Sequence, residues 1–510
     1  MKKVVAFCFL LVIVSIFIWK GTVGLDPDFG WHIKSGEYLL ENGFPTTDPF
    51  SYTMPSFPFI DHAWGSSILF AYLYPKVGSF GLSCLFSSLL ILSILLVSLL
   101  GVEKKNKKIG DTLVEVILSP CFIISIALFS ALFFVRAQVF SWFFWSVFLS
   151  LFLKKSLWNK YRFFLPLLFL VWVNLHGGFA LGIFSLLLYG VGQFFRKSLK
   201  PLDVIIIFSS VFATFANPYG IHIWREVFMT ISSPLLRTNI EEWRSIIFSS
   251  DLIMFCFITF STISIFRYWK KFPFEQILLF VFLLMQSFIS LKNVPFWLLL
   301  AVPLTSQSLG YFYKDVRAIP HGKERFEKAL YILTGIFLAM LALESFFTLR
   351  SAYSVQEQNF YPQKAIEYLR MNNEEGNIYS DYGWGGYLDW KYPEKKVFID
   401  GRMAIWRWDN APQGELSNAF KTYIMIGKGE DSYKNTFAQF NITTVLLPNK
   451  KEGQESGIDK LEKRLFSFLS QLKIINEQNT FNFTQTLEAD GWQKVYEDNV
   501  SVIYQKPEGA

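Results

Sequence analysis

Charge is what this sequence has least of. Asp, Glu, Lys and Arg make up only 17% of its 510 residues, where an ordinary soluble domain carries about 25%. Cysteine is scarce too. The four present (Cys8, Cys84, Cys121 and Cys256) all fall in apolar runs, where they read as small buried hydrophobes. There is no CxxC and no Cys/His cluster, which argues against a structural zinc site and against a disulfide-stapled secreted module. What is abundant points one way. Hydrophobic residues make up 52% of the chain, with 56 phenylalanines, which excludes a disordered or collagen-like chain and implies a membrane protein.

The charge that exists is unevenly placed. Residues 351–510 hold 18 basic and 22 acidic side chains, and residues 1–350 hold 30 basic and 19 acidic. A basic, apolar part therefore precedes a mildly acidic, soluble one, and the expected domains are 1–350 and 351–510.

A bilayer-spanning helix needs roughly 20 mostly apolar residues. Candidate spans fall at 4–19, 78–100, 112–134, 138–153, 163–174, 179–195, 203–216, 251–267, 274–290, 296–310 and 329–348, about eleven crossings. The first follows Lys2-Lys3 without a cleavage site, so it reads as an uncleaved first helix. Lys and Arg gather in 103–108, 154–162, 196–200, 267–271 and 311–328. By the positive-inside rule these loops are cytoplasmic, as is the N-terminus, and the tail is extracytoplasmic. The expected location is the plasma (inner) membrane. The spans carry almost no charge near their centres, unlike ion-coupled transporters.

Polar residues instead collect at the outer side. The outer segments are 20–77, 217–250 and the short turns around Arg136, around Asn174-Leu175-His176-Gly177-Gly178 and around Lys292. The first of them opens with Asp26-Pro27-Asp28, two carboxylates around a residue that fixes the local backbone. Residues 29–42 can form a helix ended by Gly43, which puts Asp28 and His32 on one face. Asp26, Asp28 and His32 can hold a divalent cation such as Mg or Mn, or a carboxylate can serve as general base. Asp28 equally fits a plain helix N-cap, and Asp48-Pro49 a turn start. In the tail, helix 363–371 and short β-runs at 377–380, 397–400, 443–447 and 500–504 imply an α/β domain. Tyr382-Gly383-Trp384-Gly385-Gly386-Tyr387 and Asp400-Gly401-Arg402 read as turns where glycine permits close backbone approach. They lack the Gly-Lys-Ser/Thr ending of a P-loop.

An Asp-x-Asp after the first helix, many spans and an outer C-terminal domain together resemble the GT-C superfamily of membrane glycosyltransferases, which includes the protein O-mannosyltransferases, the aminoarabinose transferases and the oligosaccharyltransferases. More closely, Asp28…Trp31-His32…Gly36…Gly43…Pro45…Asp48-Pro49-Phe50-Ser51 resembles a group of bacterial GT-C-like proteins. Their other landmarks also occur: Arg136…Gln138, Asn174…His176-Gly177-Gly178, Asn217-Pro218-Tyr219-Gly220 and Gly385-Gly386-Tyr387…Asp400-Gly401-Arg402. A departure is His62-Ala63-Trp64, where relatives often carry an acidic residue before the tryptophan.

The resemblance implies a glycosyltransferase that uses a polyprenyl-phosphate-linked sugar and a lipid, glycan or protein acceptor, surrounded by membrane lipids, with no nucleic acid. It implies a catalytic carboxylate in the first outer loop, Asp28 or Asp26, with Asp28 ahead because it shares a face with His32. A departing lipid phosphate needs cations. The candidates at outer ends are Arg136, Lys292, His176, Arg225 and Arg244, and each can instead contact lipid headgroups. Trp384 and Tyr387 are candidate acceptor-stacking aromatics. The competing expectations are a transporter or flippase of a lipid-linked glycan and a non-catalytic envelope-assembly scaffold.

Overall fold

A computed structural model describes residues 1–102, 108–248, 251–372, 375–449 and 481–506. Most of the lysine-rich turn 103–108 lies outside them. The chain divides into two compact units: residues 1–26, 35–44 and 60–355, and residues 27–34, 45–59 and 356–510.

The first unit is helical. Among the described residues three helices are long and apolar enough to cross a membrane: Lys2–Val23, Trp64–Leu100 and Gly322–Ser354. A fourth crossing arises if Ile109–Ile117 and Pro120–Leu132, bent by 58° to each other, count as one. The bend has a local cause. Ser119 caps the second helix by accepting from Phe122 N, and Pro120 starts it, a pairing that favours a fresh helix start over continuation. Shorter apolar helices follow at Gln138–Leu153, Phe179–Phe195, Pro201–Ala213, Leu252–Arg267 and Phe274–Ile289. The span read at 78–100 begins at a kink, where Gly78 takes φ +62 between two merged helices. Two of the unit's buried carboxylates sit in the first turns of helices and are paired. Asp203 is bound by Arg162 and by Trp158 Nε1, and Glu275 by Arg196 and Gln193.

The second unit is built on a four-stranded sheet of β1 (Asn377–Ser380), β2 (Ile442–Pro448), β3 (Gln493–Glu497) and β4 (Ser501–Gln505), in the order β1-β2-β4-β3. β1 and β2 are parallel, and the other pairs antiparallel. The run 397–400, expected as a strand of this sheet, lies outside it. Val397 bridges Ser51, and Thr53 Oγ1 donates to Phe398 O at 2.7 Å. Residues 45–59 thus fold with the C-terminal unit, although the sequence groups all of 20–77 with the helices. The reason is apolar. Phe50, Met54, Phe57 and Phe59 are buried, and Phe57 stacks on Trp406 with ring centroids 4.9 Å apart. Helix Phe29–Asn42 ends at Gly43 with φ +78, as read. Its start packs directly on backbone, because a Cβ on Gly30 would lie 2.2 Å from Gly386 O.

Candidate functional site

The two carboxylates of Asp26-Pro27-Asp28 go to different units. Asp26 is buried in the helical unit and forms an ion pair with Arg136. Arg136 stands in the turn between helices Pro120–Leu132 and Gln138–Leu153 and also pairs with Glu242. The second oxygen of Glu242 accepts from Lys292 Nζ at 3.0 Å, and Lys292 lies over the Trp243 ring, 4.5 Å from its centre. Two short 3₁₀ turns, Glu241–Trp243 and Leu291–Asn293, carry these groups. They are tied together by Leu291 N donating to Arg244 O at 2.8 Å and Ser290 Oγ donating to Glu242 O at 3.3 Å. Burial works to raise the Glu242 pKa, but Lys292 and Arg136 outweigh it and hold the carboxyl well below the usual range. Two basic side chains thus face two acidic ones.

Arg136 and Lys292, chosen from sequence as separate cations, thus meet on one carboxylate. Glu242 was missed. The signal available was Glu241-Glu242 beside Arg244 between two helices, which alone reads as a solvated charge run.

Beside the cluster are two histidines. His176 Nδ1 accepts from Gly178 N at 3.0 Å and lies 2.8 Å from Ser141 Oγ. Ser141 Oγ itself accepts from Trp172 Nε1, so its hydroxyl hydrogen is directed to Nδ1, and the neutral ring carries its proton on Nε2. The His62 ring is 5.8 Å from that of His176. Burial, reinforced by the charge of Lys292, pushes the His62 pKa down to about 4, which keeps it neutral. Trp64 Nε1 donates to Asn174 Oδ1 at 2.9 Å. An open groove of about 670 Å³ runs there, lined by Trp64, Asn174, Leu175, Asn217 and Pro218 among others, and it is mostly apolar. Of the remaining sequence candidates, Arg244 joins the cluster through its carbonyl. Arg225 is exposed beside the buried Glu226, whose pKa rises to about 8 through burial and the nearby Asp61, against the pull of Arg225.

In the second unit Asp28 Oδ1 accepts from Trp31 Nε1 at 3.0 Å. It also packs on Gly401, where an added Cβ would lie 2.4 Å from it. His32 stacks on Trp31, with centroids 3.6 Å apart. The shared helix face exists, but Trp31 stands beside both groups. Among the described residues no group of three His, Cys, Asp or Glu side chains can hold a metal ion: Asp26 is engaged by Arg136 and Asp28 by Trp31.

The reading of Trp384 and Tyr387 is corrected. Both rings are buried. Trp384 Nε1 donates to Phe360 O, Tyr387 OH donates to Glu357, and the Tyr387 ring stacks on Tyr361. They are core residues, with no face free for an acceptor. Nearby, Arg402 forms ion pairs with Asp48 and Asp400 and lies over the rings of Phe50, Phe59 and Trp406. Burial, with the charge of Asp400 added, raises the pKa of Asp389 well above the usual carboxyl range, despite Arg402.

No protein-family model and no curated protein matches the sequence. By fold, the chain is similar to the Archaeoglobus fulgidus oligosaccharyltransferase tethered with an acceptor peptide. The TM-score is 0.51 at 12% identity, over 87% of this chain and 69% of that one. ArnT from Cupriavidus metallidurans bound to undecaprenyl phosphate gives a TM-score of 0.48 at 10% identity, over 99% and 98%. The likeness to the oligosaccharyltransferase concerns the fold alone: a mostly helical chain, with helices long and apolar enough to cross a membrane, and a small C-terminal sheet domain.

Proposed function

We propose that this protein is a membrane glycosyltransferase that moves a sugar from a polyprenyl-phosphate-linked donor to an acceptor hydroxyl at the outer face of the plasma membrane. In this reading the chain crosses about eleven times, with a cytoplasmic N-terminus and the sheet domain outside. The observation that carries the proposal is the Asp26–Arg136–Glu242–Lys292 cluster.

At rest the cluster neutralises itself. A lipid phosphate arriving from the membrane competes with the carboxylates for Arg136 and Lys292, and charge-assisted hydrogen bonds to phosphate are of the strong kind. Once Arg136 turns to the phosphate, Asp26 is released as a base. Asp26 then takes the acceptor hydroxyl proton, and the acceptor oxygen bonds to the anomeric carbon. The bond from that carbon to the phosphate oxygen breaks, and its electron pair leaves with the lipid phosphate, which the two cations stabilise. His176 Nε2–H and Arg244 are further donors for the phosphate oxygens. Asp26 is preferred to Asp28 because it pairs with Arg136, whereas Asp28 accepts from Trp31. No step is drawn through a metal.

The test is mass spectrometry of lipid that co-purifies with the full chain. A polyprenyl phosphate or its glycoside should accompany the wild type and be depleted in the Arg136→Ala, Lys292→Ala double variant. Equal lipid content in both would remove the basis of the proposal.

A further inference from the structure

Lys20 takes no part in the chemistry above, yet it is fully buried. It lies in the last turn of helix Lys2–Val23. Its ammonium donates to Ser130 O at 2.7 Å and Ala131 O at 3.0 Å, two carbonyls at the C-terminal end of helix Pro120–Leu132. That end is the negative pole of the helix, where carbonyls lack intrahelical donors. The same ammonium lies over the Phe134 ring, 4.3 Å from its centre, with the buried Glu344 as opposing charge. A lysine buried to this extent without such partners would be strongly destabilising.

Two short segments leave this anchor. Residues 21–25 lead to Asp26, residues 132–135 lead to Arg136, and the two meet again in the Asp26–Arg136 ion pair. Between these ends the segments have no slack. A Cβ on Gly21 would lie 2.8 Å from Val135 Cγ2 and 2.5 Å from Ser83 Oγ, and one on Gly24 would lie 3.2 Å from Phe134 Cε1. From this closed ring of contacts we infer that Lys20 is a positioning residue for the donor site: it fixes the turn 133–137 so that Arg136 is held where the lipid phosphate binds. The inference rests on the proposed function and adds a residue remote from the phosphate.

The experiment titrates undecaprenyl phosphate into the purified full chain in detergent, with bound lipid read by native mass spectrometry. Lys20→Met, of similar length and uncharged, should weaken binding about ten-fold. Adding Arg136→Ala should then cost much less than it does in the wild type, because contacts within one network are non-additive. Phe134→Leu keeps the ammonium and removes the ring beneath it. It should weaken binding about three-fold, with the same shortfall when combined with Arg136→Ala, and it decides the matter if Lys20→Met does not accumulate. A purely structural lysine predicts a lower melting temperature, unchanged affinity for the probe and fully multiplicative losses, and that pattern overturns the assignment. If the wild type does not bind the probe, the proposed function falls and this inference with it. If Arg136→Ala weakens binding while Lys20→Met and Phe134→Leu do not, only the positioning role fails.

Discussion

Each unit of the protein contains an arginine between carboxylates, and the two arrangements differ in one respect. Around Arg136 the side chains of Arg136, Glu242 and Lys292 remain 25–28% exposed, and only Asp26, at 2%, is buried. Around Arg402 the side chains of Arg402, Asp48 and Asp400 are 0–3% exposed. Exposure decides whether an ion pair can change partners. In the proposed reaction the first cluster exchanges a carboxylate for a phosphate, at the cost of partly exposed, screened contacts of Arg136, Glu242 and Lys292. The second has no route for an incoming ion, and breaking it strands charge in the interior. Aspartates one residue apart from a shared proline thus serve different ends, Asp26 at the exchangeable cluster and Asp28 in the packing against Gly401.

The largest expected effect falls on Asp26. Loss of a general base typically lowers a rate by about 10²–10⁴, so Asp26→Asn should nearly abolish sugar transfer in a membrane assay. Asp28→Asn keeps an oxygen for Trp31 Nε1 and should transfer at close to the wild-type rate. The reverse ranking would reassign the base to Asp28. Next comes Arg402→Met, which should destabilise the chain by about 3–5 kcal/mol through stranded carboxylates, visible as early protease cleavage of the sheet unit. Arg136→Ala should destabilise less, because Glu242 keeps Lys292 as partner, although the buried Asp26 loses its ion pair with Arg136. Arg136→Ala and Lys292→Ala should each reduce donor use by roughly 30- to 150-fold, equivalent to about 2–3 kcal/mol for a lost charge-assisted contact. If donor use survives and folding fails, the contrast between the clusters is wrong.

The smallest effects concern pH, and they have opposite signs. Asp389, with a raised pKa, binds a proton more tightly folded than unfolded. Its stabilisation is present below the ordinary carboxyl value and is lost as pH rises through the folded one. His62, lowered from 6.5 to about 4, acts the other way, and stability should fall as pH drops across that interval. In melting curves across pH, Asp389→Asn should flatten the alkaline decline and His62→Asn the acidic one. An unchanged pH profile in either variant would contradict the corresponding burial.

The helices were legible because long apolar runs have few other readings, although among the described residues only three of the eleven expected spans, or four with the bent pair, form helices long and apolar enough to cross a membrane, and Gly43 ended its helix where the pattern said it would. Arg136 and Lys292 stood out in the sequence because a cation in a short turn contrasts with its apolar neighbours. Glu242 was hidden, since its role depends on turns distant in sequence being brought together. Trp384 and Tyr387 misled for a related reason: aromatic residues beside glycine suit a sugar platform and a packed turn equally, and only burial separates the two. Strand-like composition at 397–400 was real, but its partner was the distant 50–53 segment. Residues 493–497 were missed because a mostly polar strand carries little alternation.

That distant pairing has a consequence for biosynthesis. Thr53 and Phe398 are separated by 345 positions, and Asp48 and Arg402 by 354. At about 5–20 residues per second, the ribosome needs roughly 20–70 s to travel from one to the other. For that interval Phe50, Phe57 and Phe59 lack the partners that bury them in the finished fold. Contacts so remote in sequence also form slowly. The nascent chain therefore presents a sticky, unfinished stretch early and resolves it last, which makes residues 45–59 the natural place for a chaperone to hold and for a quality-control protease to cut.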